Sequence, residues 1–246
     1  MKLTSCRSGQ LQVVILTETV YWHLTPIPAL ESAVSGLTLN ELSIYQAFRF
    51  EQRKKAWLIG RYAAKTLLSR VLPDSPEIAA IEIENDELGA PLGILKGKPV
   101  AGCLSISHSD DFGAAAYAPL GMRIGIDIER VAVRSSAFIQ DYFTEHEVRL
   151  VDADERDAAH RATLIWSAKE SALKALGVGL RLDTRSVAVR AVDDSDGLLN
   201  PTWNRMTMGS NQFNAYPCAY WRDLGEHVVT MVILGASCQK IMLTEV

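Results

Sequence analysis

The chain predicts an α+β fold built from two similar halves, residues 1–122 and 123–246, on three observations. Short segments such as "IAAIEIE" (78–84) and "RIGIDIER" (123–130) alternate apolar and polar residues with the period of a half-buried strand. Two longer segments carry apolar residues at helical spacing. One order of elements then occurs twice: "KKAWLIGRYAAKTLL" precedes "IAAIEIE", and "ATLIWSAKESALKAL" precedes "RSVAVRAV" at a similar distance. The break falls near 119–123, at "PLGMR".

The elements follow in order. "QLQVVILTETVYWHL" (10–24) is rich in β-branched and aromatic residues and reads as a strand, ended by Pro26 and Pro28. Thr38 to Leu72 reads as helix, with Thr38 and Glu41 at capping-box spacing and Gly60 either interrupting the run or permitting a close contact. The stretch 87–102 is rich in glycine and proline and predicts an ordered loop or irregular hairpin. "CLSISHS", "GAAAYA" and the acidic strand come next. Residues 135–177 read as helix, acidic turn and helix, stopped at Gly177 and Gly179. "RSVAVRAV" is a strand, and at least two more lie near 213–222 and 227–235.

Bulk properties narrow the class. With 246 residues, 48% of them hydrophobic, the chain has material for a sizeable core. A net charge of −4 gives no support for a nucleic-acid partner. Cys6, Cys103, Cys218 and Cys238 lack a C-x-x-C pair and read as free thiols of a reducing compartment, so the expected location is cytoplasmic. The longest apolar run, "VVTMVILGA", is too short to cross a bilayer, and the start of the chain lacks the pattern of a signal peptide.

Several residues have the types that carry chemistry. Asp127 and Glu129 share one face of the acidic strand: either a solvated face or the ligands of a cation. Glu170 and Lys174 share a helix face, with Trp166 one turn earlier; such a pair is also a common surface feature. Ser105, Ser107 and Ser109 line one face of a short strand and His108 the other, as phosphate donors or as parts of a plain turn. Three carboxylates make an all-oxygen site for magnesium, which typically completes its shell with water and substrate phosphate. Lys174 and His108 would neutralise phosphate charge. A Walker loop and a dinucleotide G-x-G-x-x-G motif are missing, so side chains would have to hold the phosphates.

The succession "GRYAAK" (60–65), "SISHS" (105–109), "GIDIE" (125–129) and "WSAKESALK" (166–174) resembles the Sfp-type 4′-phosphopantetheinyl transferases, from about Gln52 to Val189. The resemblance implies two α+β halves related by a pseudo-twofold, with coenzyme A and magnesium, or manganese in its place, at their interface. It implies transfer of phosphopantetheine to a serine of an acyl, peptidyl or aryl carrier protein, with release of 3′,5′-ADP. Asp127, Glu129 and Glu170 match the metal ligands, Lys174 the pyrophosphate lysine, and Ser107 and His108 the coenzyme A contacts. Glu147 resembles the family's additional glutamate, a candidate to position water or take the serine proton; Glu170 competes for that role, and Glu147 also reads as a solvated helix-start acid.

The family often shows G-K-P before S-H-S. Here "GAP" (89–91) stands at that spacing and a literal "GKP" lies at 97–99, so Lys98 is a candidate replacement. Arg53, Lys54 and Arg61 are candidates for the 3′-phosphate, Arg61 first. For an acidic carrier, Arg149, Arg156, Arg161, Lys169, Arg181 and Arg185 form a basic patch beside the apolar Phe138, Tyr142 and Phe143. One chain supplies both sides of the site, so a monomer is expected. A hydrolase of coenzyme A or a nucleotide diphosphate, and a silent carrier-binding module, are the alternatives on the same fold.

Overall fold

Two sheets pack face to face, with one long helix on the outer side of each. The computed structural model describes residues 17–246 apart from 27, 29, 111, 154–156, 198–199 and 214–215. Cys6, Arg156 and residues 10–16 of the first expected strand lie outside the described residues.

In the first half, β1 (Glu18–Pro26) leads to α1 (Leu30–Ser35), α2 (Leu39–Ala47) and α3 (Glu51–Val71). Then come β2 (Ile81–Asn85), β3 (Pro91–Leu95), β4 (Lys98–Pro99), β5 (Cys103–Ser109) and β6 (Phe112–Ala118). The second half runs β7 (Arg123–Arg130), α4 (Ser136–Tyr142), α5 (Glu145–Asp152) and α6 (Ala158–Leu176). It closes with β8 (Ala188–Gly197), β9 (Asn200–Gly209), β10 (Cys218–Asp223), β11 (His227–Leu234) and β12 (Ile241–Glu245). The first sheet has the order β12-β1-β6-β5, the second β7-β11-β10-β9-β8, and β2-β3-β4 form a small third sheet. The last strand, β12, returns to pair in parallel with β1.

Alternation along the strands sorts their side chains between layers. Ile124, Ile126 and Ile128 of β7 meet Ala114, Ala116 and Ala118 of β6 in the core between the sheets. Ala115 faces the other way, onto Ala63 and Leu67 of α3. On β11, Val229 and Met231 join the inter-sheet core while Val228 and Val232 pack with α6.

One construction occurs in both halves. Thr38 caps α2 and Glu41 completes the box; the Glu41 carboxylate also accepts from Lys65 of α3 and from the Ile83 amide of β2. Thr144 caps α5 and Glu147 completes the box; its carboxylate accepts from Lys169 of α6 and the Val189 amide of β8. All four charged groups are buried, Lys169 and Glu147 completely. Burial pushes both lysines down, against the opposing pull of their glutamates.

Some expectations need correcting. The helix expected over Thr38–Leu72 is two, separated at Phe48–Phe50, where Phe48 turns its ring onto Trp57 at 5.7 Å. Of the two roles open to Gly60 the structure shows the close contact: α3 runs on unbroken, and a Cβ there would lie 2.9 Å from the Ile106 side chain. The first helix expected in 135–177 is likewise two, α4 and α5. Cys218 and Cys238 are not free thiols but form a disulfide, because the segment after β11 folds back past the start of β10. Cys103 is the free cysteine among the described residues.

Candidate active site

β7 and β5 are the edges of their sheets and meet without forming a ladder. An edge strand has backbone amides to satisfy, and here side chains of β5 do it. Ser105 Oγ accepts from the Ile126 amide at 3.0 Å and Ser109 Oγ from the Arg130 amide at 3.0 Å. Between them Ser107 Oγ donates to Asp127 Oδ1 at 2.7 Å. The serine stripe read from the sequence is the joint between the two sheets.

The outer face of β7 carries Gly125, Asp127 and Glu129 towards α6. Gly125 is required there: a Cβ would lie 1.9 Å from the Ser171 carbonyl oxygen. Small groups sustain the close approach, as Ser167 and Ser171 bond to Thr230 of β11 at 2.9 and 2.8 Å. This brings Lys174 to β7, where its Nζ donates to Asp127 Oδ1 at 2.7 Å, to Ser107 Oγ at 3.1 Å and to the Ile126 carbonyl at 3.1 Å. Glu129 Oε2 accepts from Arg134 at 3.0 Å.

Electrostatics place Glu170 with this group. Burial pushes its carboxyl up, Lys174 opposes, and the neighbouring Asp127 and Glu129 add to the rise. Glu129 is also pushed up, by burial and then by Asp127, against Arg134 and Lys174. Among the described residues no three His, Cys, Asp or Glu groups form a ready-made metal cage; cations of the chain already hold one oxygen of Asp127 and one of Glu129. The residues nonetheless fit a hard divalent ion. Their donors are all oxygen, and Asp127 Oδ2 is buried without a hydrogen-bond partner.

Two open spaces adjoin these groups. A cavity of about 550 Å³ is lined by Gln52, Lys55, His108, Asp110, Arg130 and His227. A groove of about 490 Å³, mostly apolar, runs past Gly89–Pro91 and Ile106 to Arg123 and Lys174. Burial and the nearby Lys174 pull His108 down, against Asp127. A smaller cavity of about 190 Å³ near the start of α6, lined by His160, Arg161 and Trp221, holds none of the motif residues.

Several candidates stand elsewhere. Glu147 is neither at the site nor solvated; its carboxylate is fully taken up by Thr144, Lys169 and the Val189 amide. Arg61 stacks over Trp57 at 4.0 Å, and burial pulls its guanidinium down to about 10. Arg53 lies 5.7 Å over the Phe48 ring. Residues 53, 57 and 61 share the face of α3 turned to α2, while Gln52 and Lys55 take the face turned to His108. Lys55 is therefore a cavity cation, beside Arg130, that sequence reasoning missed; helix phase held the signal. Lys98 is exposed on β4 and lines none of these spaces, whereas Gly89–Pro91 lie in the groove. In the basic patch, Lys169 is buried, Arg161 bonds Asp157, Arg185 bonds Asp183, and Arg181 reaches the Leu88 carbonyl across the groove.

Residues 123–232, which hold β7 and α6, match the family model of the 4′-phosphopantetheinyl transferase superfamily. A holo-[acyl-carrier-protein] synthase of Staphylococcus carnosus (strain TM300) is 32% identical over 83 residues, 32% of this chain and 69% of that protein. The chain belongs to the 4′-phosphopantetheinyl transferase superfamily. A phosphopantetheinyl transferase of Thraustochytrium sp. (strain ATCC 26185 / S-3) is 25% identical over 178 residues, 67% of this chain; the chain spans 60% of that relative's length. The crystal structure of Thermotoga maritima holo-[acyl-carrier-protein] synthase aligns at 22% identity and a TM-score of 0.36, over 47% of this chain and 64% of that one.

Proposed function

We propose that the protein transfers the 4′-phosphopantetheine group of coenzyme A to a serine hydroxyl of an apo carrier protein, with magnesium, or manganese in its place. The observation that carries this reading is Lys174: its ammonium lies within 3.1 Å of Asp127 and of Ser107, so one cation joins three motifs where the halves meet. Asp127, Glu129 and Glu170 would hold the divalent ion, which when bound supplies a Lewis-acid clamp on phosphate oxygens.

The chain's own groups account for the rest. Lys174 moves its hydrogen bond from Asp127 to the pyrophosphate and neutralises charge that develops as the phosphorus–oxygen bond to 3′,5′-ADP breaks. Ser107 steadies that lysine. His108 and Lys55 face each other across the larger cavity and receive the remaining phosphate. The serine oxygen bonds to phosphorus as its proton passes to a base, for which Glu170, directly or through a water on the ion, is the candidate. One chain forms the site, so a monomer suffices. The carrier docks at α4, where Tyr142 is 39% exposed beside Phe138.

The test is intact-mass spectrometry of an apo carrier protein incubated with the protein, coenzyme A and magnesium. The expected result is a gain of one phosphopantetheine, lost with EDTA and in Asp127→Ala. Cleavage of coenzyme A without a carrier would assign a hydrolase instead, and binding without turnover across several carrier classes a silent module. Absence of both transfer and coenzyme A binding would overturn the reading.

A further inference from the structure

Arg134 lies just beyond β7, and no motif in the sequence marks it. Its Nη2 donates to Glu129 Oε2 at 3.0 Å, while its guanidinium lies 5.2 Å over the Phe138 ring of α4. The Phe138 ring packs edge-to-face on Trp166 at 4.9 Å and against Tyr142 at 4.8 Å. Trp166 stands one turn before Glu170 on α6. Arg134 thus ties the β7 carboxylate to the aromatic cluster beside the α6 carboxylate. We propose that Arg134 is a positioning residue, fixing Glu129 through one oxygen so that the other is presented to the cation. The proposal rests on the function proposed above and deepens it.

The fixing is geometric. Glu129 is 29% exposed at its side chain and, unheld, is free to swing into solvent. A guanidinium is a planar fork whose orientation the Phe138 ring sets from below; an ammonium has neither property. Partners that orient a ligating carboxylate typically cost about 10–100-fold in metal affinity or activity when removed.

The test measures Mn²⁺ binding to the protein alone, by the electron paramagnetic resonance signal of free Mn²⁺, for wild type, Arg134→Gln and Arg134→Lys. The full chain is used, and each variant's melting temperature is recorded. Arg134→Gln is expected to bind Mn²⁺ about 10–100-fold more weakly, with Arg134→Lys recovering part of the loss at most. In turnover, the metal requirement rises by the same factor while the KM for coenzyme A stays put. Unchanged or tighter Mn²⁺ binding in Arg134→Gln overturns the proposal, and so does full recovery in Arg134→Lys, which would make charge alone the role. A wild-type protein that holds no Mn²⁺ overturns the metal reading, and this proposal falls with it.

Discussion

Replacing Glu147 by glutamine separates a structural acid from a catalytic one. Five donor contacts reach the carboxylate: the Thr144 amide at 2.8 Å, the Thr144 hydroxyl at 3.0 Å, Lys169 at 2.7 and 2.9 Å, and the Val189 amide at 2.8 Å. An amide has one accepting atom, so its NH2 must face donors on one side whichever way it turns. The change also leaves Lys169 charged and completely buried. Removing one partner of a buried pair costs about 3–5 kcal/mol, against a total stability of about 5–15 kcal/mol for a typical protein. At about 2–4 °C per kcal/mol for a chain this long, the melting temperature falls by about 6–20 °C. Urea melts measure the loss, and turnover in the cold, corrected for the folded fraction, should be close to wild type. Unaltered stability with turnover abolished would refute this reasoning and return Glu147 to the chemistry.

Other expectations follow from the same geometry. Gly125→Ala must push α6 off β7; stability falls by about 1–3 kcal/mol or more, and turnover per folded molecule falls further, which parallel melts and mass-spectrometric rates would show. Lys174→Met is expected to lower kcat about 10²–10³-fold, the size of losing one preorganised charge-stabilising donor, in a protein that melts normally. Glu170 sits in a fold that favours its neutral form, so the stability it confers is full in acid and lost as pH rises through its raised value. Glu170→Gln should therefore melt no lower than wild type in EDTA at neutral pH, yet gain nothing from magnesium. Burial holds His23 below the ordinary histidine value, against its bond to the Val246 carbonyl, so the unfolded chain takes up the proton first. Stability should then drop as pH falls through the region near ~6.5, with a shallower slope in His23→Gln by urea melts at several pH values.

Much of the site was legible because its residues lie at strand or helix period. "GIDIE" announces one face of β7, and Glu170 and Lys174 announce one face of α6. What decides whether those faces meet is the absence of a Cβ at Gly125, a fact about packing. The buried partners of Glu147 were foreseeable in part: Thr144 and Glu147 have the spacing that identified Thr38 and Glu41. Choosing Arg53 and Arg61 over Lys55 required knowing which side of α3 faces β5, and charge alone does not say. The break between α2 and α3 has no glycine or proline to mark it; Phe48 turning onto Trp57 sets it. β9 and β12 were overlooked since "NPTWNRMTMG" and "IMLTE" lack clean alternation. Twenty residues separate Cys218 from Cys238, and nothing in that interval foretells their meeting.

The doubled Thr–Glu–Lys frame gives the molecule two corresponding seams, one beyond each buried lysine. Five residues beyond its buried lysine, each long helix sends a cation to the first strand of its half: Lys174 to Asp127, and Arg70 to His23 at 3.5 Å. At the first seam the strand group keeps an oxygen to spare. At the second it is an imidazole already engaged by Val246, beneath a strand that closes the β1 edge. Of two seams built alike, one keeps a carboxylate oxygen for a ligand and the other is filled by the chain's own backbone, so the proposed chemistry belongs to the first and only stability to the second.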